Sequence, residues 1–328
     1  MKRARKAKKV RAVPIGLGIL VFLLAFGAGA VSKLAIKPSW AKKYSVKWSD
    51  DLGTLKTDLA YDTGDANKFD LYLPADDTKS SYGLVVYLHA GGFTTGDKSE
   101  DQDMLAWLCS KGYVAAGINY TLSSEETKAS VLTQSNEIKE AVPKVIEEAE
   151  KAGYHIDKLA MAGGSAGHAL AMIYAYRDAK ECPVPVALTF GAVGPSCFYA
   201  EDWGIFGAGT ETEQQRAVAA ALFSAMSGEV ITPDEIGDGS YLEKVKPIAA
   251  EEWVTKDAPP TVVAYGAFDK MQPFLASLRL KDALEKNGVD YRYFELPHSG
   301  HGLQNDNAIQ KQYMEAVDEY LAKYMPVN

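Results

Sequence analysis

The chain has 328 residues, 47% of them apolar and 24% charged, a balance ordinary for a globular protein with room for one large domain or two small ones. Its three cysteines, Cys109, Cys182 and Cys197, cannot all pair, and no Cys-x-x-Cys or His/Cys cluster points to zinc. The formal charge of −8 combines +7 in residues 1–11 with −15 in the remainder, which argues against a nucleic-acid enzyme, whose basic residues lie on the folded domain.

The basic arm carries Lys2, Arg3, Arg5, Lys6, Lys8, Lys9 and Arg11 and no acid. Nineteen uncharged residues follow, Val13 to Val31, about the length that crosses a bilayer as a helix. Residues 12–32 therefore read as a transmembrane signal anchor, or as a signal peptide with a small-x-small site at Ala28-Gly29-Ala30. Positive-inside logic keeps residues 1–11 cytoplasmic. Both readings give an extracytoplasmic product, either membrane-anchored in a single pass with its N-terminus inside, or secreted. Residues 33–52 look like a linker, with Trp40, Tyr44 and Trp48 either at a membrane interface or folded onto the domain. Residues 53–328 are expected to form that domain.

Leu55 to Tyr61 and Lys68 to Pro74 read as an antiparallel hairpin at a sheet edge, the second strand alternating clearly before Pro74 ends it. Leu84 to Leu88 is a continuous apolar run, as for a strand buried on both faces. A helix from about Ser99 to Lys111, a strand at Tyr113 to Ile118 and a helix from Ser130 to Lys151 follow, the last kinked or split by Pro143. Strands are expected at Leu159 to Ala162, Val186 to Val193, Thr261 to Tyr265 and Tyr291 to Leu296. Helices are expected after Ser165, at Pro273 to Asn287 and at Asn305 to Lys323. Alternating strands and helices predict a parallel sheet with right-handed crossovers. The stretch between Val193 and Pro259, with a helix at Glu211 to Met226 and a Pro- and Gly-rich loop at Thr232 to Ser240, reads as a lid or substrate wall above the carboxyl ends of the strands. Cys182 and Cys197 are the one pair near enough in sequence to suggest a bridge, while Cys109 reads as a core residue.

One segment carries a chemical signature. The strand Leu159 to Ala162 runs into Gly163-Gly164-Ser165-Ala166-Gly167, a Gly-x-Ser-x-Gly turn that leads directly into a helix. Such a turn holds a serine strained and exposed, with a helix N-terminus aimed at any oxyanion formed there. A serine needs a base, and the base needs an orienting group. Asp269 lies just past the Thr261 strand, and Pro297-His298-Ser299-Gly300-His301-Gly302 follows the Tyr291 strand. The glycines around His301 favour it as the base over His298, which is left to support the loop or lie exposed. His155 reads as a surface residue, and the ring of His168 is expected at the start of the helix after the serine. Oxyanion donors are expected from the amide of Ala166 and from the loop His89-Ala90-Gly91-Gly92-Phe93.

These pieces together resemble an α/β-hydrolase of the esterase/lipase group that includes hormone-sensitive-lipase-like and feruloyl-esterase-like enzymes. The resemblance rests on Leu71-Tyr72-Leu73-Pro74, His89 to Phe93, Gly96-Asp97-Lys98, Asn119-Tyr120-Thr121-Leu122, Gly163 to Gly167, Gly266 to Asp269 and Gly300 to Gly302, and covers roughly residues 60 to 325. It implies the α/β-hydrolase fold: a mostly parallel, doubly wound, eight-stranded sheet with a lid insert at about 196–258, here preceded by an N-terminal hydrophobic helix. Two positions depart from the pattern. Ala90 stands where the family usually has glycine, and His168 stands where a second glycine often ends the elbow and is expected to narrow the site.

The resemblance implies catalytic roles for Ser165, Asp269 and His301, with Gly91, Gly92 and Ala166 as the oxyanion hole. It implies a carboxylesterase that passes an acyl group through Ser165 to water and needs no metal or organic cofactor. The substrate would be a small-molecule or glycan-linked ester, with deacylation of carbohydrate as one form. The membrane would be met through the N-terminal helix and no nucleic acid would be bound. A serine peptidase of the prolyl-oligopeptidase type uses the same triad order and remains the competing enzyme reading. A non-catalytic binding module would require a broken triad.

Overall fold

The computed structural model describes residues 39–327. The chain divides into two units, residues 1–42 and residues 43–328, and of the first only Ser39 to Lys42 are described. The basic arm and the hydrophobic helix expected at 12–32 lie outside the described residues. Among the described residues no helix is long and apolar enough to cross a membrane.

The second unit is built on one eight-stranded sheet. In chain order its strands are β1 (Gly53–Ala60), β2 (Lys68–Pro74), β3 (Tyr82–Leu88), β4 (Val114–Ile118), β5 (Ile156–Gly164), β6 (Val186–Ala192), β7 (Thr261–Gly266) and β8 (Tyr291–Leu296). Their spatial order is β1-β2-β4-β3-β5-β6-β7-β8. β1 pairs with β2, and β2 with β4, antiparallel. Every other pairing is parallel, so the expected mostly parallel, doubly wound sheet with an edge hairpin is what forms. The apolar runs of β3, β4 and β5 occupy the centre and are almost fully buried. The mixed sequences of β1 and β8 lie at the edges and stay partly exposed. A parallel sheet needs helices on its faces, because only both-sided burial suits unbroken apolar strands.

Those helices are α1 (Gln102–Ser110), α2 (Val131–Lys151), α3 (Ala166–Ile173), α4 (Glu213–Ser227), α5 (Pro233–Asp238), α6 (Leu242–Val245), α7 (Phe274–Lys286) and α8 (Asn307–Tyr324). α2, α3 and α7 share the larger apolar core with Leu84, Val86, Leu88 and Met161. α1 packs on β2 and β4, and α8 on β6, β7 and β8. Because β3, β5, β7 and β8 run parallel, the loops after them all emerge at one edge of the sheet, which assembles the site described below. The two aromatic residues of the unit's N-terminal stretch fold onto it: Tyr44 meets Trp107 and Trp48 meets Tyr72, each edge-on at 5.2 Å.

One local expectation is narrowed and another corrected. Of the two alternatives at Pro143, a kink or a split, the split is ruled out: α2 runs through it as a single helix. The buried stripe Ile138, Ala141, Val142, Val145 and Ile146 continues on both sides of the proline. Pro143 itself borders a cleft with Asn136, Lys139 and Glu140, and as proline it has no N–H to give the carbonyl one turn before it. The Pro- and Gly-rich stretch 232–240 is not a loop but holds α5. Thr232 and Glu235 form a reciprocal capping box, Pro233 occupies the first turn, and Gly239 closes the helix with φ of 83°. Thr232→Ala removes one half of that box and should cost about 1 kcal/mol, lowering the melting temperature by about 2 °C in a thermal scan. An unchanged melting temperature would mean that α5 is held by Ile236 alone.

Candidate active site

Ser165 joins β5 to α3 with φ of 50° and ψ of −118°. A non-glycine residue held there stores on the order of 1–3 kcal/mol, and the surroundings must enforce it. Its amide donates to the Ala192 carbonyl at 2.9 Å and its carbonyl accepts from the Ala169 amide at 3.1 Å. The flanking glycines let the backbones meet. A Cβ on Gly163 would lie 2.5 Å from the Gly167 carbonyl carbon, and one on Gly167 would lie 2.0 Å from the Leu88 oxygen. The Gly-x-Ser-x-Gly spacing is thus a steric requirement of strand β5, helix α3 and the end of β3 crossing at one point.

His301 reaches this serine from the loop after β8. Its Nε2 lies 2.8 Å from Ser165 Oγ, and its Nδ1 lies 2.8 Å from Asp269 Oδ2. Asp269 is buried, and its other oxygen accepts the amides of Met271 at 2.7 Å and Gln272 at 3.0 Å. With Nδ1–H donated to that fixed carboxylate, Nε2 is left as an acceptor for the serine hydroxyl. The loop can cross β7 because Gly266 has no side chain: a Cβ there would lie 2.4 Å from the Gly300 oxygen.

His298 does not compete for the serine. Its ring is largely exposed and its Nδ1 pairs with Asp306 Oδ1 at 2.8 Å. Asp306 also accepts the His298 amide at 2.9 Å and the Ser299 hydroxyl at 2.7 Å. This carboxylate closes the loop that presents His301, and the sequence reading missed it. The signal it carries, an acid just before a helix, reads as an ordinary cap.

The loop after β3 is braced from below. The buried His89 ring stacks on Tyr120 at 4.3 Å with 6° between planes, and the Tyr120 hydroxyl donates to the His89 carbonyl at 3.0 Å. Asn119 donates to Asp97 at 2.7 Å and accepts the Lys98 amide at 2.7 Å. Burial raises the Asp97 pKa, but hydrogen bonds from Ser99 and Asn119 outweigh it and draw it down to about 2. The buried Lys98 ammonium lies between Asp58 at 2.8 Å and Asp70 at 3.2 Å. Gly91 has φ of 126°, and a Cβ on it would lie 1.9 Å from the Thr95 carbonyl oxygen; Gly92 has φ of 58°. Ala90 is not among the residues with positive φ, so its methyl group is accommodated where the family usually has glycine. Among the described residues, the amides of Gly91, Gly92 and Ala166 donate to no other group of the protein.

His168 overturns an expectation. It is fully buried, so it does not narrow the mouth of the site. Its Nδ1 accepts the Gly194 amide at 3.1 Å, and its ring lies against Gly191, where a Cβ would be 2.3 Å from His168 Cδ2. Burial pushes its pKa down to about 3, although a backbone contact with Ala192 works the other way. His155 is exposed beside Glu150. All three cysteines are free, so the suspected Cys182–Cys197 bridge is not formed. Cys197 lies buried with its sulfur 3.2 Å from the Ala276 carbonyl oxygen.

Residues 69–190 match the family model described as BD-FAE, and residues 211–327 match that of the prolyl oligopeptidase family. Kynurenine formamidase of Salmo salar is 31% identical over 116 residues, 35% of this chain and 37% of that protein. The match thus spans little more than a third of that relative. A truncated carbohydrate esterase from gut microbiota superposes with a TM-score of 0.63 at 18% identity, over 85% of this chain and 99% of that one. Esterase B from Lactobacillus rhamnosis does so at 0.62 and 19%, over 93% and 95%. The Est2 esterase of Thermogutta terrifontis does so at 0.62 and 18%, over 85% and 95%. At these identities the likeness is one of fold.

The buried His168 has a consequence for stability. Below the ordinary histidine pKa of about 6.5 the unfolded chain takes up a proton that the folded chain refuses. Its contribution is fully present above that value and is lost as pH falls toward about 3, by up to about 1.4 kcal/mol per pH unit. His168→Asn keeps an acceptor for Gly194 and removes the titration. Urea midpoints between pH 6 and pH 4.5 should therefore fall less steeply in the variant. Parallel slopes would show that His168 is protonated in the folded state.

Proposed function

Because the chain has the α/β-hydrolase fold, we propose that it is a serine-dependent carboxylic ester hydrolase that works through an acyl-enzyme on Ser165. The observation that carries this reading is the unbroken hydrogen-bonded line from Asp269 through His301 to Ser165 Oγ. His301 Nε2 takes the hydroxyl proton as Ser165 Oγ attacks the ester carbonyl. The resulting oxyanion is met by the free amides of Gly91, Gly92 and Ala166, the last at the positive end of α3. A single such donor is worth roughly 2.7–4 kcal/mol in related chemistry. Asp269 holds the imidazole in the working tautomer and stabilises its positive charge. The imidazolium then returns the proton to the leaving alcohol oxygen, and the bond between that oxygen and the acyl carbon breaks. Water repeats the sequence, with His301 as base, and frees the acid and Ser165. Every proton moves through His301, so the steps balance without a further reactant.

The match of residues 211–327 to the prolyl oligopeptidase family favours amide cleavage as a second reading. It needs the same proton delivery, to an amine instead of an alkoxide. Removal of acyl groups from carbohydrate is supported by the fold of one structural neighbour, the carbohydrate esterase. For the uncharged N-terminal stretch 13–31 we propose an extracytoplasmic enzyme, held by that stretch as an anchor or released by cleavage after Ala30.

Ser165→Ala should lower kcat on p-nitrophenyl esters by roughly four orders of magnitude or more. Diethyl p-nitrophenyl phosphate should modify the wild-type protein once, at Ser165, as read by peptide mass spectrometry. Unchanged hydrolysis in the variant, or modification elsewhere, would overturn the mechanism. Faster turnover of aminoacyl-nitroanilides than of the esters would favour the peptidase. Cell fractionation with sequencing of the mature N-terminus decides the location: a start at Val31 means a cleaved signal, and an intact N-terminus in the membrane fraction means an anchor.

A further inference from the structure

Five of the seven large apolar side chains that the described residues leave in solvent lie beside Asp269, at the start of α7 and in the insert that α7 contacts. Phe268 and Met271 flank Asp269, Leu275 opens α7, and Ile205 and Phe206 end the 3-10 helix Ala200–Phe206 of the insert, all between 40 and 67% exposed. The remaining two such residues, Val230 and Val327, belong to other parts of the chain. Exposed apolar groups clustered in connected segments are of the kind that marks a binding surface.

The patch is continuous with the catalytic loop at one end and with the insert at the other. The Phe268 amide donates to the Ser299 carbonyl at 2.9 Å, two residues from His301. Met271 donates its amide to Asp269 itself. Leu275 and Arg279 lie four apart on α7 and so share a face. Arg279 pairs with Asp202 and Glu201 of the 3-10 helix that carries Ile205 and Phe206. That pairing ties residues 201–202 of the insert to α7 and leaves the guanidinium already occupied, while Ile205 and Phe206 follow a kink at Trp203 a few residues on.

Chemistry decides which part of a substrate lies there. His301 Nε2 must deliver its proton to the leaving oxygen, so the alcohol portion of the ester lies on the His301 side of Ser165. The carbonyl oxygen lies instead toward the amides of Gly91, Gly92 and Ala166. We propose that the strip from Phe268 through Met271 and Leu275 to Ile205 and Phe206 is the subsite for the leaving alcohol, and that the substrate is an ester of an extended alkyl or aryl alcohol. The inference rests on the esterase reading above. It goes further by assigning the apolar bulk to the alcohol and not to a sugar, whose hydroxyls would find phenyl, thioether and alkyl groups in place of hydrogen-bond partners.

The test uses the full-length protein and butanoate esters of ethanol, butanol, hexanol and octanol, whose alcohols have nearly the same acidity. The expected result is a kcat/KM that rises about two- to fourfold per added methylene. Met271→Ser and Leu275→Ser, both at exposed positions, should each cut the hexyl-to-ethyl ratio at least about fivefold, while the ratio between ethyl octanoate and ethyl butanoate stays as in the wild type. A flat alcohol series, an unchanged hexyl-to-ethyl ratio in both variants, or faster turnover of a glucose butanoate than of hexyl butanoate overturns the proposal. An unchanged ratio accompanied by loss of a dimer in sedimentation, or by loss of binding to phosphatidylcholine vesicles, overturns it in favour of a surface for a second copy or for lipid. A second arm needs no turnover: saturation-transfer NMR of wild-type protein with 1-hexanol should show transfer to the chain methylenes, weakened in Leu275→Ser. Transfer without hydrolysis of any ester would sink the esterase reading and leave the subsite standing. Hydrolysis without transfer would sink the subsite alone.

Discussion

The close crossing of three backbones behind Ser165 is the constraint on which the rest of the molecule depends. β5 arrives, α3 leaves, and the end of β3 passes within contact of Gly167, so side chains at Gly163 or Gly167 would collide with main chain. The strained φ of 50° at Ser165 persists because its amide is tied to Ala192 at the end of β6. Strain here has a use. It lifts Oγ clear of the sheet while leaving the amide of Ala166 unpaired at the first turn of a helix. The same geometry therefore presents an exposed hydroxyl and an unpaired amide side by side, as the proposed acyl transfer requires.

His168 is part of that constraint, although it looks at first like a departure from it. It stands in the first turn of α3, and its ring enters the sheet between Gly191 and Gly194, where the absence of side chains on β6 and just beyond leaves room. The Gly194 amide finds its acceptor on the ring. A buried neutral imidazole thus fixes α3 against β6, three residues from Ser165 and on the far side from solvent. A glycine at that position would give up this wedge. The bulk gained at position 168 is matched by bulk missing at 191 and 194, which is why it leaves the mouth of the site unchanged.

The sheet was legible in the sequence because unbroken apolar runs have few alternatives to a strand buried on both faces. The order of Ser165, Asp269 and His301 was legible because parallel strands deliver their following loops to one edge. What escaped were features decided by contacts between segments or by opposing local signals. The direction of the His168 ring depends on two glycines more than twenty residues away. Pro143 signals a break, but the apolar stripe on both sides of it is worth more than one lost hydrogen bond. At 232–240 proline and glycine occupy the start and the C-terminal cap of a short helix, the two places where they favour one. The role of Asp306 is invisible locally because its carboxylate turns back to His298 and Ser299 instead of capping the helix ahead. Exposure is equally invisible in sequence: Phe268 and Met271 resemble core residues until the loop that carries them is seen to lie on the surface.

α7 connects these features mechanically. The turn leading into it supplies the two amides that fix Asp269. One turn further on it exposes Leu275, and at Arg279 it grips Asp202 and Glu201 of the insert while its guanidinium stacks on Tyr199 at 3.8 Å. Within the insert, Trp203 is buried against Phe198 and Phe223. A displacement of the insert would therefore load Arg279, and through α7 the turn that holds Asp269. The insert and the carboxylate that pairs with His301 are therefore connected through one helix and the turn before it. An arrangement in which the insert packed only on the sheet would leave Asp269 indifferent to it. The turn that orients Asp269, the exposed Leu275 and the Arg279 grip on the insert thus follow one another along the chain, so a load on Arg279 reaches the Asp269 turn through α7.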